Sequence, residues 1–345
     1  MSFTKEKRSR IKNYIMEKIF KKQIDFVKRT ANTFSISSTT VYKYINELEQ
    51  DGLIARDASG NYYLVKTLNN TFTFHLKEKT LEEDVIYRET LSSYVEDFPG
   101  NVVRIWEYAF MEMFNNVIDH SNAEKVIVNI SQNALYTWVN ISDNGIGIFR
   151  KIADFYHYES LDDAIFSLFK GKLTTDSHNH SGEGIFFTSK VMDHFGVISD
   201  QKIFSQDNTK EIVTDLADTS PTFKKMQDMK GTLIIMALAN DTTRTLKEIF
   251  DMYSDDNGGF TITQIPIKHI CDSGYPVSRS QAKRLYFGFD KFKTVILDFK
   301  DVEEIGQGFA DELFRVYQNN HPEIELRCVN TNEAVERMIR RTTMN

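Results

Sequence analysis

EMFNNVIDH, residues 112–120, is the stretch on which the reading of this chain turns, and DNGIGI at 143–148 answers it. Glu112, Asn116 and His120 stand four apart, so on a helix they stack along one stripe. Val103, Trp106, Phe110, Met113, Phe114 and Val117 supply an apolar face beside that stripe. The spacing predicts a helix from about Asn101 onward that forms one wall of a cleft. A merely solvated helix face would be spelled the same way, so the stripe needs company. The residue types suit phosphate chemistry. An Asn oxygen can ligate Mg²⁺ without adding charge, leaving phosphate oxygens and waters to complete the octahedron. A Glu one turn earlier can orient and deprotonate an attacking water or hydroxyl.

The company lies downstream. Asp143 follows the strand TWVNIS, and its carboxylate can accept a bond from the exocyclic amine of adenine. Gly145 and Gly147 remove side chains where backbone must approach a base or turn with positive φ. In HSGEGIFFTSKVMDHF (180–195), Gly182 and Gly184 sit just before a helix whose free N–H groups can hold phosphates. In KGTLIIMAL (230–238), Thr232 opens a strand with its hydroxyl placed to support Asp143, directly or through water. Each glycine pair alone is an ordinary turn signal.

Taken in order, E-x-x-x-N-x-x-x-H, D-x-G-x-G, G-x-G and G-T resemble the family uniting gyrase B, the 90-kDa chaperones, sensor histidine kinases and mismatch-repair MutL. The resemblance covers roughly residues 71–240. It implies a GHKL-type α/β sandwich of the Bergerat fold that binds ATP with Mg²⁺. It further implies Asn116 as the Mg²⁺ ligand and Asp143 as the adenine anchor supported by Thr232. Gly145 and Gly147 become the pocket floor, and Gly182 and Gly184 the phosphate loop. Glu112 occupies the general-base position of the hydrolysing and Ser-phosphorylating branches. Residues 149–180 correspond to the family's ATP lid, from which Lys170, Lys172, Thr174, His178 and His180 would reach the phosphates; ordinary solvated loop residues are the alternative for each. Two His without Cys or an acidic cluster do not make a zinc site.

Residues 1–66 read differently. Helical spacing at Ile11, Tyr14, Ile15 and Ile19 predicts a helix over Lys5 to Phe20. A second is expected over Gln23 to Asn32, with Ile24, Val27 and Ala31 inward. After the turn TFSISS, Ser37 or Ser38 can cap a third helix, whose buried stripe is Val41, Tyr44, Ile45 and Leu48. Its other face presents Ser38, Thr39, Tyr42, Lys43 and Asn46, groups suited to phosphates and base edges. DGLIARDASGNYYLV then reads as strand, tight turn at Ser59-Gly60-Asn61, and strand, with Arg56 near the base. This order resembles the winged helix-turn-helix family and implies DNA binding through residues 1–66 by Ser38, Thr39, Thr40, Lys43 and Arg56. Thr39 and Thr40 suit thymine methyls and phosphates alike.

SDDNGG (254–259) reads as a linker. Residues 257–345 then alternate strand and helix: FTITQIPI, SRSQAKRLYFGF with a Ser278/Gln281 capping box, TVILDF, GQGFADELFRVY, IELRCVN and NEAVERMIRR. TVILDF with KDVEEIGQGFADELF resembles the STAS fold of anti-sigma-factor antagonists, and more closely the STAS-like domain appended to such ATPases. True antagonists place a phosphorylatable Ser where this chain reads Ile305-Gly306-Gln307-Gly308-Phe309, without a hydroxyl.

Charge separates the parts. Net charge is −7, yet residues 1–70 hold 13 Lys+Arg against 7 Asp+Glu. A basic head on an acidic body suits a polyanion partner for the head alone. Two cysteines, Cys271 and Cys328, cannot build a disulfide framework or a zinc site by themselves. No apolar run approaches the ~18 residues of a membrane helix, and the basic start has no apolar signal core behind it. A cytoplasmic multidomain α/β protein is expected: N-terminal winged helix, central Bergerat-fold sandwich, C-terminal STAS-like α/β domain. The expected function is an ATP-responsive DNA-binding regulator in which nucleotide state controls domain packing and DNA affinity. The alternatives are a Ser/Thr protein kinase of the anti-sigma-factor type acting on a STAS-type partner, and an ATPase effector of a stress or defence complex. The resemblances also imply pairing of two copies.

Overall fold

The computed structural model describes residues 3–76, 81–173, 182–207, 230–270 and 275–343. Thr174, His178, His180 and Cys271 lie outside them. The chain divides into two compact units. One holds residues 1–145, 192–198 and 205–243; the other holds 146–191, 199–204 and 244–345.

The first unit opens with three helices, α1 (Lys5–Phe20), α2 (Phe26–Phe34) and α3 (Ser38–Gln50), and a hairpin of β1 (Ile54–Arg56) and β2 (Tyr62–Leu64). Ile11, Ile15, Ile19, Val41, Tyr44, Ile45 and Leu48 are buried together, as their spacing requires. Ser37, not Ser38, caps α3 by accepting from the Thr40 N–H. α2 starts three residues later than the expected Gln23. Lys22 takes a left-handed φ of 50°, the helix begins only at Phe26, and Ile24 in the intervening turn is fully exposed. Phe26 is buried instead. Leu135, from beyond the head, closes this core, and Phe20 packs its ring 5.2 Å from that of Tyr136.

Next come β3 (Leu68–His75), α4 (Glu83–Thr90), α5 (Ser92–Val95), α6 (Gly100–His120), β4 (Lys125–Gln132) and β5 (Tyr136–Asp143). With β6 (His194–Ser199), β7 (Lys202–Asp207) and β8 (Thr232–Ala239), the strands form a sheet in the order β3-β4-β5-β8-β6-β7. β3, β4, β5 and β8 pair antiparallel in turn. Alternate residues of β5 are buried, and α6, with Trp106, Phe110, Met113 and Phe114 fully buried, packs against it. Each such burial contributes about 1.5–3 kcal/mol. Parity matters here: Asp143 points to the same side of β5 as Thr137, Val139 and Ile141.

In the second unit, α7 (Ile148–Tyr156), α8 (Leu161–Lys170), α9 (Gly184–Val191) and α10 (Leu246–Tyr253) accompany a parallel sheet. Its strands are β9 (Ile262–Pro266), β10 (Thr294–Asp298) and β11 (Glu325–Val329), in the order β11-β10-β9. Parallel strands need long crossovers. These are α11 (Arg279–Tyr286), with its Ser278/Gln281 capping box in place, and α12 (307–320), which contains a π-helical turn over Asp311–Tyr317. The chain's last helix is α13 (Glu333–Thr343). SDDNGG is not a loose linker. The Asp255 carboxylate accepts from the Asn257 and Gly259 N–H groups and from Lys293 Nζ at 2.6 Å. Those bonds fold the stretch into a turn that leads directly into β9.

Candidate functional site

The first unit places two of the motif pieces together around one carboxylate, with the end of α6 against them. Asp143, at the end of β5, is only 4% exposed. Its Oδ1 accepts the Gly145 N–H at 2.7 Å, and the Thr232 backbone N–H also donates to it. Burial pushes the carboxyl up to about 6, while those two backbone bonds pull it down. A buried carboxylate of this kind is a strong acceptor for a neutral amine, because little water competes for it.

Two glycines make room for this arrangement. A Cβ on Gly145 would lie 2.0 Å from the Ser121 carbonyl oxygen. A Cβ on Gly231, whose φ is +97°, would lie 2.2 Å from the Asp143 carbonyl oxygen. No side chain fits at either place. The loop after β5 is therefore pressed on the end of α6, where Ser121 is the C-cap. Asn144 fixes the join: its Oδ1 accepts the N–H groups of Glu124 and Lys125, both at 3.0 Å.

Asn116 is half-buried on α6, five residues before Ser121, which is roughly 7.5 Å along a helix axis. Glu112, also half-buried, is one turn further back, and His120 is in the last turn. Asn116, Asp143, Gly145 and Thr232 all belong to the first unit; of these, Asp143, Gly145 and Thr232 are joined by hydrogen bonds beside the C-terminal end of α6. Ser121 and Asn144 are the supports that motif reading passed over. Gly231 is spelled in the K-G-T run, but its reason, the backbone of Asp143, is distant in sequence.

The remaining cofactor candidates belong to the second unit. Gly147 precedes α7 with φ +87°, and a Cβ there would meet Asp200 Oδ2 at 2.6 Å. That carboxylate accepts the Arg150 N–H at 3.3 Å and its Nε at 3.0 Å, capping the helix. Gly182 has φ +71°, and a Cβ on it would lie 2.5 Å from the Leu173 backbone; the Leu173 N–H donates to the Gly182 carbonyl at 3.2 Å. Gly184 is the first residue of α9. Lys172 donates from Nζ to the Lys291 carbonyl at 2.8 Å and lies over the rings of Phe260 and Phe292. Lys170 is almost wholly buried, donates to the Arg284 and Phe287 carbonyls, and is pushed down to about 7 by burial. Among the described residues, no group of three or more His, Cys, Asp or Glu could hold a metal ion.

In the head, Ser38, Thr39, Tyr42, Lys43 and Asn46 are exposed along one side of α3. Thr40 is half-buried and shares a hydrogen bond with the Ser37 hydroxyl at 3.0 Å, as part of the cap. Arg56 is exposed but engaged: its Nε donates to Glu49 at 3.1 Å, and its guanidinium lies over the Tyr62 ring.

Residues 281–336 match the family model described as a STAS-like domain of unknown function (DUF4325). The match runs from within α11 through β10, α12 and β11 into the start of α13. The chain is therefore a mixed α/β protein with several sheets and a STAS-like C-terminal domain. At the head of α12, the Gly306 N–H donates to the Pro276 carbonyl at 2.8 Å, and a Cβ on Gly306 would lie 2.6 Å from Val277 Cα. No curated protein matches the chain. Among the described residues, no helix is long and apolar enough to cross a membrane.

Proposed function

We propose that this protein binds ATP with Mg²⁺ through a GHKL-type domain over residues 71–240, binds DNA through a winged helix over residues 1–66, and couples the two. Nucleotide state changes how the domains pack, and DNA affinity follows. The observation that carries this reading is the Asp143 carboxylate, buried and gripped by the Gly145 and Thr232 N–H groups where Gly145 and Gly231 leave no space for a side chain. A buried carboxylate of this kind suits a ring bearing an exocyclic amine. Adenine supplies both.

Asn116 would hold Mg²⁺ with its neutral oxygen, so that the phosphates and waters provide the other ligands. Glu112 would orient and deprotonate water for attack on the γ-phosphate, where most of the work is positioning and charge neutralisation. Gly182 and Gly184, at the start of α9, would offer backbone N–H groups to the phosphates. ATP itself brings the transferable phosphoryl group. In the head, Ser38, Thr39, Lys43 and Arg56 would contact phosphates and base edges, and Thr40 would serve through the cap it shares. Pairing of two copies belongs to the same proposal.

Calorimetric titration of the full chain with ATP tests the site. Asn116→Ala is expected to abolish the Mg²⁺ dependence of binding. Asp143→Asn should lose at least about tenfold in ATP affinity and its preference for ATP over GTP. Glu112→Ala should bind normally and release phosphate about 10²–10⁴ times more slowly. Mg²⁺-dependent binding undiminished in Asn116→Ala, with selectivity unchanged in Asp143→Asn, would refute the assignment.

A further inference from the structure

The second unit contains a set of bonds that the proposed nucleotide chemistry does not itself require. They join the stretch 170–191 to the C-terminal segment, and they run in both directions. Thr263, wholly buried on β9, donates its hydroxyl to the Lys170 carbonyl at 2.6 Å. Lys170 in turn donates its ammonium to the Arg284 and Phe287 carbonyls at 3.1 and 2.8 Å. The first bond satisfies an orphan carbonyl at the end of α8; the second pair does the same at the end of α11. Two residues on, the exchange repeats. Lys172 Nζ donates to the Lys291 carbonyl at 2.8 Å, and Lys291 Nζ donates to the Lys172 carbonyl at 3.2 Å.

Between these latches Gly171 passes so close to Phe260 that a Cβ there would lie 2.8 Å from the ring. Leu173 then donates to the Gly182 carbonyl. On the far side of Gly184, Phe186 and Phe187 pack against the same Phe260, with ring centroids 4.7 and 4.9 Å away. The Lys190 ammonium lies over Phe186 and reaches the Gln264 carbonyl of β9 at 3.5 Å. The residues on either side of Leu173, Gly182 and Gly184 are thus seated on residues 260–292, which lead into and overlap the STAS-like match.

We infer that the STAS-like segment is a positioning scaffold for the glycine pair Gly182 and Gly184, with Thr263, Lys170 and Lys291 as positioning residues that set affinity for the phosphates of a nucleotide but not for its base. The inference rests on the phosphate role proposed above for those glycines. It gives the C-terminal domain work inside its own chain, without a phosphorylatable hydroxyl.

The test compares two ligands on the intact protein: ATP with Mg²⁺, and adenosine, which keeps the base and lacks phosphates. Thr263→Val removes the hydroxyl and keeps the shape, Thr263→Ser restores it, and Lys170→Met removes the other latch. Thr263→Val and Lys170→Met are each expected to weaken ATP–Mg²⁺ about tenfold while adenosine binds as before, and Thr263→Ser is expected to match wild type. Unchanged ATP affinity in both latch variants overturns the inference. So does an equal loss for ATP and adenosine, which marks general damage to the fold. Failure of the wild-type protein to bind either ligand strikes the proposed function instead, so the two failures are separable.

Discussion

Asp143 illustrates how much one buried carboxylate asks of its neighbours. It sits at about 6 because burial disfavours its charge more than the two backbone N–H groups restore it. The folded protein therefore holds this proton more tightly than the unfolded chain does. Ionised Asp143 costs stability: the cost is absent well below the unfolded value of 3.8 and complete once pH exceeds about 6. Asp143→Asn should accordingly raise the melting temperature of the ligand-free protein near neutral pH. Binding runs the other way, because an amine needs the ionised form as acceptor. ATP affinity of the wild type is expected to fall as pH drops below about 6, and titrations over a pH series check it; a flat profile would argue against a carboxylate–amine contact. The D-x-G-x-G spelling made Asp143 legible. Two details were not. Thr232 meets the carboxylate with its backbone N–H, and the need for Gly231 arises from the Asp143 backbone, which adjacency in sequence cannot reveal.

At the scale of elements, strong periodicity was readable and boundaries set by single turns were not. The limits of α1 and the buried stripe of α3 follow from apolar spacing that no competing signal disturbs. Ile24 misled because it continues the 3.6-residue spacing of Val27 and Ala31 while standing in the turn ahead of Phe26, fully exposed. SDDNGG misled because its glycines suggest freedom while Asp255 ties the turn together. The exposed side of α3 carries the DNA expectation. Lys43→Ala should weaken DNA binding and lower the slope of log affinity against log salt by about one, the signature of one lost phosphate contact. Superimposable salt titrations for the two proteins would remove α3 from the interface. Arg56 is a poorer probe, because Glu49 already holds it.

For the whole molecule, the STAS-like part was legible in its strand–loop–helix spelling and is matched over residues 281–336. The partition into compact units was not legible. Residues 146–191 gather with 244–345 through contacts such as Phe169 with His269 and Phe186 with Phe260. Aromatic partners about a hundred or fewer residues apart leave no periodic trace. Coupling between nucleotide and DNA is the claim that unites the parts, and titration of the intact protein with DNA fragments, with and without ATP and Mg²⁺, tests it most directly. The account expects the two DNA affinities to differ about 5- to 150-fold, the span of ~1–3 kcal/mol of coupling, and expects Asn116→Ala to erase the difference. Identical DNA curves in the two conditions, at ATP concentrations shown to saturate the protein, would contradict it.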